Sequence, residues 1–259
     1  MNEHEKFLAE CAEEVAEQGE NRELRLLTSQ WISAANSARY SYHFTALGRP
    51  IIQYPQDIVA MQELIWQVRP DVIVETGIAH GGSLILSASM LALLDYRDAV
   101  ELGELVDPRR PKRFVVGVDI DIRAHNRAAI EAHPMSSRIH MIQGSSTAPE
   151  VVAQVQAKVG SAARVLVSLD SNHTHDHVLA ELEAYAPMVT RGSYCVVFDT
   201  IVEDLPATAY PDRPWGRGDN PKTAVWKYLQ THPEFEIDDS IDNRLLISVA
   251  PHGFLRRKT

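Results

Sequence analysis

The sequence predicts an α/β fold: a doubly wound, mostly parallel sheet with a C-terminal antiparallel strand pair, preceded by N-terminal helices. Three observations predict it. After residue 70, short apolar runs alternate with helical segments, several of these runs end at an acidic residue, and a glycine-rich turn follows the first run. Alternating strands and helices form parallel sheets through right-handed crossovers that cover both faces.

The chain begins with helical segments. Two amphipathic stretches, about 4–18 and 22–38, are predicted helices, and a third begins at Pro55 and ends before Pro70. We therefore predict an N-terminal helical extension, residues 1–39, and a single domain, residues 40–259.

The remaining elements alternate along that domain. Strands are predicted near 71–75, 114–118, 138–142, 164–169 and 193–198, and helices near 82–95, 123–132, 149–158 and 175–186. The last two strands, 235–238 and 245–249, are expected to form the antiparallel pair. Residues 96–112 are predicted as a surface insertion, and the proline-rich loop 203–220 as a lid over the substrate.

Composition limits the classes of function. The chain has 259 residues and a formal net charge of −10, which argues against binding nucleic acid or an anionic membrane. No apolar run approaches the roughly 20 residues that span a bilayer, and the N-terminus lacks the layout of a signal peptide. The two cysteines, Cys11 and Cys195, have no metal-site spacing. These features predict a cytoplasmic protein.

The first strand leads into the segment Glu75-Thr-Gly-Ile-Ala-His-Gly-Gly-Ser83. Its glycines match neither the G-x-G-x-x-G dinucleotide pattern nor a P-loop. A glycine turn between a strand and a helix cradles a ligand against the free N–H groups of that helix. The acid at the strand end suits a ligand with an amino acid's ammonium group, such as S-adenosylmethionine. A tight turn without a ligand is the alternative.

The second and third strands end in further polar residues. Asp119 and Asp121 follow the second strand, where an acid binds ribose hydroxyls in open α/β sheets, although Asp121 is equally suited to capping a helix. The turn after the third strand, Gln143-Gly-Ser-Ser146, is placed to lie against an adenine. Cofactor contacts are predicted at Glu75, Gly77, His80, Gly81, Ser83, Asp119, Ile120, Gly144, Ser145 and Asp170.

The fourth and fifth strands end at Asp170 and Asp199. Because parallel strands point their carboxyl ends one way, both acids are expected at one rim, where oxygen ligands suit Mg²⁺. His173 is placed to accept a proton from a metal-bound hydroxyl. The alternative is structural: Asp170 caps a helix whose first turn holds His175 and His177.

Four segments together resemble the cephalosporin hydroxylase family, which also contains rhamnosyl O-methyltransferases. They are Tyr42–Asp57, Glu75–Ser83, Leu169–His177 and Gly192–Thr200. The resemblance implies a class I methyltransferase fold, S-adenosylmethionine, often a divalent metal, and frequently a homo-oligomer.

The resemblance also implies site roles. Asp170 matches a metal carboxylate, His173 the catalytic base, and Asp199 part of a second metal element. This chain has Phe198-Asp199-Thr200 where metal-dependent relatives have an acid pair or an acid and an amide. Thr200, Glu203 or Asp204 would have to supply the second oxygen. We predict metal ligands at Asp170, Asp199 and Thr200, and catalytic roles for His173 and Asp170.

The predicted function is methylation of a hydroxyl of a deoxysugar or other glycosyl unit, in natural-product or surface-polysaccharide biosynthesis. The partner is then a small-molecule or glycan acceptor, with its pocket built from residues 40–57 and 203–220. One alternative is an Fe(II) oxygenase that uses His173, His175 and Asp170. Another is a non-catalytic member that binds S-adenosylmethionine without turnover.

Overall fold

The computed structural model of the protein describes residues 1–258. Two helices come first, followed by a small hairpin and a large α/β unit. In chain order the elements are α1 (Glu3–Glu20), α2 (Arg22–Ser37), β1 (Phe44–Ala46), β2 (Arg49–Ile51), α3 (Pro55–Val68), β3 (Val72–Thr76), α4 (Gly82–Leu102), β4 (Phe114–Asp119), α5 (Ala124–Glu131), β5 (Ile139–Gln143), α6 (Pro149–Val159), β6 (Val165–Leu169), α7 (His175–Tyr185), β7 (Tyr194–Val197), α8 (Pro221–Leu229), β8 (Phe235–Ile237), α9 (Asp239–Leu245) and β9 (Phe254–Arg257).

The main sheet has seven strands in the order β5-β4-β3-β6-β7-β9-β8. The first five are parallel to one another, and β9 runs antiparallel to both β7 and β8. The chain reverses its direction of winding between β3 and β6, so the crevice at the carboxyl ends of these strands is the expected ligand site. The predicted fold class, with its C-terminal antiparallel pair, is confirmed.

The core lies on both faces of this sheet. Along β3, Ile73 packs into the cluster on one face, while Val72 and Val74 pack into the cluster on the other. Every residue of β3 is buried. Burial on both faces explains why the sequences of these strands are continuous apolar runs. Each fully buried aliphatic side chain stabilises the fold by about 1.5–3 kcal/mol.

The N-terminal helices pack against the C-terminal part of the domain. The amide of Gln18, near the end of α1, donates to the carbonyl of Asn243 in α9 at 2.6 Å. Asn2 and Glu5 form a capping box that fixes the start of α1. Within residues 1–258 no helix is both long and apolar enough to cross a membrane.

Two predicted elements were wrong in detail. The helix expected over 82–95 continues to Leu102, so the surface insertion is shorter than 96–112. The second strand of the antiparallel pair is β9, and 245–249 is not a strand. Buried Asp57 accepts hydrogen bonds from the Ser248 hydroxyl at 2.6 Å and the Val249 N–H at 3.0 Å, which holds that segment against α3 instead of in the sheet.

Candidate active site

Predicted site residues gather at one rim of the sheet. β3, β4, β6 and β7 end beside one another, and Glu75, Asp119, Asp170 and Asp199 lie in or directly after these ends. The parallel register produces this arrangement: Thr76 pairs with both Val118 and Leu169, and Leu169 pairs with Val197. The rim predicted from the strand ends is therefore assembled by the fold.

The glycine-rich loop is held close to the end of β6. Gly77 has φ of +88°, and a Cβ at this position would lie 1.9 Å from the Asp170 carbonyl oxygen. Only glycine fits both the backbone conformation and this contact. Arg49 fixes the far side of the loop by donating to the carbonyl of His80 at 3.0 and 2.7 Å.

Glu75 lies beneath the loop and is almost completely buried, at 2% exposure. The Ser83 hydroxyl donates to its carboxylate. Burial raises the pKa of the Glu75 carboxyl to about 7, and the hydrogen bond from Ser83 opposes the shift. A buried acid without a cationic neighbour favours a positively charged ligand group.

A cavity of about 320 Å³ opens between the ends of β3, β4, β5 and β6. Its lining comprises Gly77, Ala79, Val118, Asp119, Ile120, Ser145, Ser146, Asp170, Ser171, Asn172, His177 and Trp215. Asp119 Oδ2 accepts from the N–H groups of Ile78 at 2.8 Å and Ala79 at 3.2 Å, so this acid also holds the glycine loop in place. Ile120 leaves 73% of its surface exposed beside it.

Gly81 and Gly144 have structural roles in this arrangement. Gly81, with φ of +83°, is the N-cap of α4. The N–H of Gly144 donates to the carbonyl of Asp119 at 2.9 Å and keeps the ends of β4 and β5 together. Both support the cavity, and neither lines it.

Asp170, His173 and Asp199 form a candidate metal site, called the metal-binding group below, in which each has a potential ligand atom within 4.8 Å of the others. His173 Nε2 lies 3.1 Å from Asp199 Oδ2. Burial, followed by the nearby charges of Asp199 and Glu75, holds the pKa of the Asp170 carboxyl well above its usual range. Among residues 1–258, no lysine or arginine forms an ion pair with either aspartate.

Thr200, predicted as the third ligand, is not positioned as one. It is fully buried, and its hydroxyl donates to the carbonyl of Pro251 at 2.7 Å. The preceding residue, Asp199, has a left-handed backbone with φ of +56°. The chain therefore turns between Asp199 at the rim and Thr200. The helical turn that follows carries Thr200 into the core.

His175 and His177 are directed elsewhere. His175 Nδ1 lies 2.8 Å from the Thr223 hydroxyl, in α8. His177 Nε2 lies 3.1 Å from both the Ser146 and the Ser171 hydroxyl, in the wall of the cavity described above. The two-histidine cluster of the Fe(II) alternative is therefore not assembled around Asp170.

The loop that precedes α8 covers the metal-binding group. Trp215 packs edge-on against His173, with ring centroids 4.8 Å apart, and Arg213 lies 5.2 Å from the Trp215 ring centroid. Glu203 anchors the loop by accepting from the N–H of Gly218 at 2.7 Å. A tryptophan above His173 shields it from water.

The comparisons with known proteins agree with this geometry. The family model for rhamnosyl O-methyltransferase/CmcI matches residues 38–258. This chain belongs to that family. A rhamnosyl O-methyltransferase of Mycobacterium bovis (strain BCG / Pasteur 1173P2) is 28% identical over 204 residues, which cover 78% of this chain and 73% of the relative. The Mycobacterium leprae (strain TN) protein of the same name is 28% identical over 217 residues, or 83% of each chain.

Solved structures show the same fold. The CmcI apo-structure has a TM-score of 0.53 at 19% identity and covers 84% of this chain and 77% of its own. A CmcI structure with magnesium and S-adenosylmethionine has a TM-score of 0.51 at 20% identity, with 84% and 78% covered. The predicted family, fold and enzyme class, an S-adenosylmethionine-dependent O-methyltransferase, are confirmed. The Fe(II) oxygenase alternative is not supported.

Proposed function

We propose that this member of the rhamnosyl O-methyltransferase/CmcI family transfers the methyl group of S-adenosylmethionine to a hydroxyl of a deoxysugar or other glycosyl unit, in natural-product or surface-polysaccharide biosynthesis. The observation that carries the proposal is the group of Asp170, His173 and Asp199 beside the cavity behind the glycine loop. A rhamnosyl unit is the first acceptor to test, because the mycobacterial relatives are named for it.

The cofactor's adenosine fits the cavity of about 320 Å³, which is called the larger cavity below. The exposed face of Ile120 offers an apolar surface to a base, and Ser145 lies in the same lining. Asp119 already accepts from three N–H groups, two on Oδ2 and that of Asp121 on Oδ1. A carboxylate has about four acceptor positions, so Asp119 Oδ1 retains capacity for a ribose hydroxyl.

A divalent cation fits the charge of the site. Asp170 and Asp199 bring two carboxylates together beside Glu75, and no lysine or arginine within residues 1–258 forms an ion pair with them. Oxygen ligands of this kind suit Mg²⁺, and CmcI has been solved with that ion. Asp170 and Asp199 would hold the magnesium, and its charge would lower the pKa of an acceptor hydroxyl.

His173 would accept the proton of the acceptor hydroxyl. Asp199, 3.1 Å away, orients the imidazole and stabilises it once it is protonated. Trp215 packs against the ring and limits its contact with water. The cofactor supplies an electrophilic methyl group, so the protein has to align the acceptor oxygen with that methyl group and remove the proton of the acceptor hydroxyl.

The proposal is tested first by calorimetric titration of EDTA-treated protein with S-adenosylmethionine, before and after Mg²⁺ addition. Binding followed by methylation of a rhamnosyl acceptor, detected by mass spectrometry, supports it. Absence of binding under both conditions would refute it. A response to Fe(II) and 2-oxoglutarate instead would favour the oxygenase.

We also propose that residues 1–39 form an extension to the domain of residues 40–259, and that the protein is a homo-oligomer. Exposed apolar side chains on α1 and α2 support an oligomer: Phe7, Leu8, Leu26 and Leu27 are each more than half exposed. Size-exclusion chromatography with light scattering, on the full chain and on a chain lacking residues 1–39, tests both proposals.

A further inference from the structure

A second cavity of about 200 Å³ lies on the other side of the glycine loop. It shares Gly77, Ala79, Asp170 and Ser171 with the larger cavity, so the two adjoin. The second cavity is additionally lined by Gln53, His80 and Ser83, and by His173 and Asp199 of the metal-binding group. A ligand that extends across the loop would therefore place one end in each cavity.

Gln53 is unusual among the lining residues. It is 3% exposed, and within residues 1–258 its side-chain amide oxygen is buried without a hydrogen-bond partner. Buried amides are nearly always paired, because an unpaired one loses its contacts with water and gains nothing in return. An unpaired amide oxygen in the wall of a polar cavity is explained by a ligand that supplies the missing partner.

The segment that contains Gln53 lies beside the start of α4. A Cβ on Gly82 would lie 2.3 Å from the carbonyl oxygen of Pro50, so the end of β2 is pressed against the first turn of α4. Gln53 follows β2 by two residues and shares the second cavity with Gly82 and Ser83. Within residues 1–258 no side chain caps α4, so its first N–H groups are free to bind an anion.

We propose that Gln53 binds the α-amino-acid end of S-adenosylmethionine, a role that rests on the proposed function. The amide nitrogen would donate to the carboxylate, together with the uncapped N–H groups of α4. The amide oxygen would accept from the ammonium group. The adenosine would then occupy the larger cavity, and the sulfonium would lie at the shared wall beside Gly77 and Asp170.

The test uses two ligands that differ only at the proposed contact. S-adenosylhomocysteine has the amino-acid end, and 5′-methylthioadenosine lacks it. We expect Gln53→Ala to weaken S-adenosylhomocysteine binding about tenfold or more, as the loss of hydrogen bonds to charged groups does. Its affinity for 5′-methylthioadenosine should remain within about twofold of the unsubstituted protein.

Two further variants separate binding from folding. Gln56→Ala makes the same change three residues away, at a side chain that lines neither cavity and whose oxygen is also buried and unpaired. It should leave both affinities unchanged. Gln53→Met keeps the length of the side chain and removes an unpaired polar group, so its melting temperature should equal or exceed that of the unsubstituted protein while S-adenosylhomocysteine binding weakens.

The outcomes are distinct. If the unsubstituted protein binds neither ligand, the proposed function fails. If it binds both and Gln53→Ala binds S-adenosylhomocysteine with unchanged affinity, the role of Gln53 is overturned. Equal losses for both ligands, or a higher KM for the acceptor with unchanged S-adenosylhomocysteine affinity, would also overturn it, because Gln53 would then support the whole pocket or contact the acceptor.

Discussion

Gly77→Ala tests the close approach between the glycine loop and the end of β6. The built Cβ would be 1.9 Å from the Asp170 carbonyl oxygen, whereas real Cβ contacts essentially never fall under 3.0 Å. The difference, 3.0 minus 1.9, requires a displacement of at least about 1 Å between the loop and Asp170. A displacement of that size at reacting groups lowers the rate about 10²-fold.

The substitution also has a backbone cost, since φ at Gly77 is +88°. A left-handed backbone costs a residue with a Cβ about 1–2 kcal/mol. Gly48 provides the matched control, because its φ is +89° and nothing lies within 4 Å of its built Cβ. Gly48→Ala should therefore have the same backbone cost in folding free energy without displacing the site.

The assays are thermal unfolding, calorimetry with S-adenosylhomocysteine, and methyl-transfer kinetics on both variants. We expect Gly48→Ala to be about 1–2 kcal/mol less stable, with cofactor affinity and kcat near normal. Gly77→Ala should be destabilised further and should lose about 10²-fold or more in kcat/KM, together with cofactor affinity. Equal binding and turnover in the two variants would refute the argument from the 1.9 Å contact.

Three other predictions follow from the same rim. His173→Ala should lower kcat about 10²-fold or more, while its affinity for S-adenosylhomocysteine stays within about twofold of the unsubstituted protein. His175→Ala is the control and should keep most of the turnover. Normal turnover in His173→Ala would remove His173 from the mechanism. Asp170→Asn should abolish activation by Mg²⁺ in a metal titration, and Thr200→Val should preserve it; loss of activation in the valine variant would restore Thr200 as a ligand. Because burial raises the pKa of Glu75 from 4.5 to about 7, the folded state retains a proton that the unfolded state loses, so the stability of the ligand-free protein should fall as pH rises from 4.5 to 7. Chemical denaturation of Glu75→Gln should show a smaller fall, on the order of 3 kcal/mol less over that interval, and an unchanged pH profile would contradict the assignment.

The parallel strands were predictable because burial on both faces leaves a strong signal. The run Val72–Val74 is apolar at every position, and each of its side chains is buried, so the presence of a strand here is predictable from composition alone. The run at 245–249 has a similar composition but is not a strand. Its backbone is bonded to Asp57, which precedes it by about 190 residues, and no local pattern encodes such a contact.

The rim was predictable for the same reason that the sheet was. Parallel strands bring Asp170 and Asp199 to one edge whatever the loops do. The directions of His175 and His177 were not predictable, because they depend on partners in α8 and after β5. Gln53 gave no signal in the sequence, since its significance comes from the hydrogen bond that its amide oxygen does not form within residues 1–258.

The charges of the rim indicate that this part of the molecule is built for binding more than for stability. Glu75 is buried at 2% exposure, and Asp170 is desolvated beside Glu75 and Asp199. Another buried acid, Asp95, is paired with Arg113 at 2.6 Å and with Arg138 at 2.5 Å. The same chain therefore neutralises one buried acid with arginines and leaves the rim acids without them. Concentrating unpaired carboxylates around one crevice costs folding free energy, and that cost is recovered when cationic groups bind there. A sulfonium, an ammonium and a divalent metal are the cations that the proposed reaction brings to this crevice.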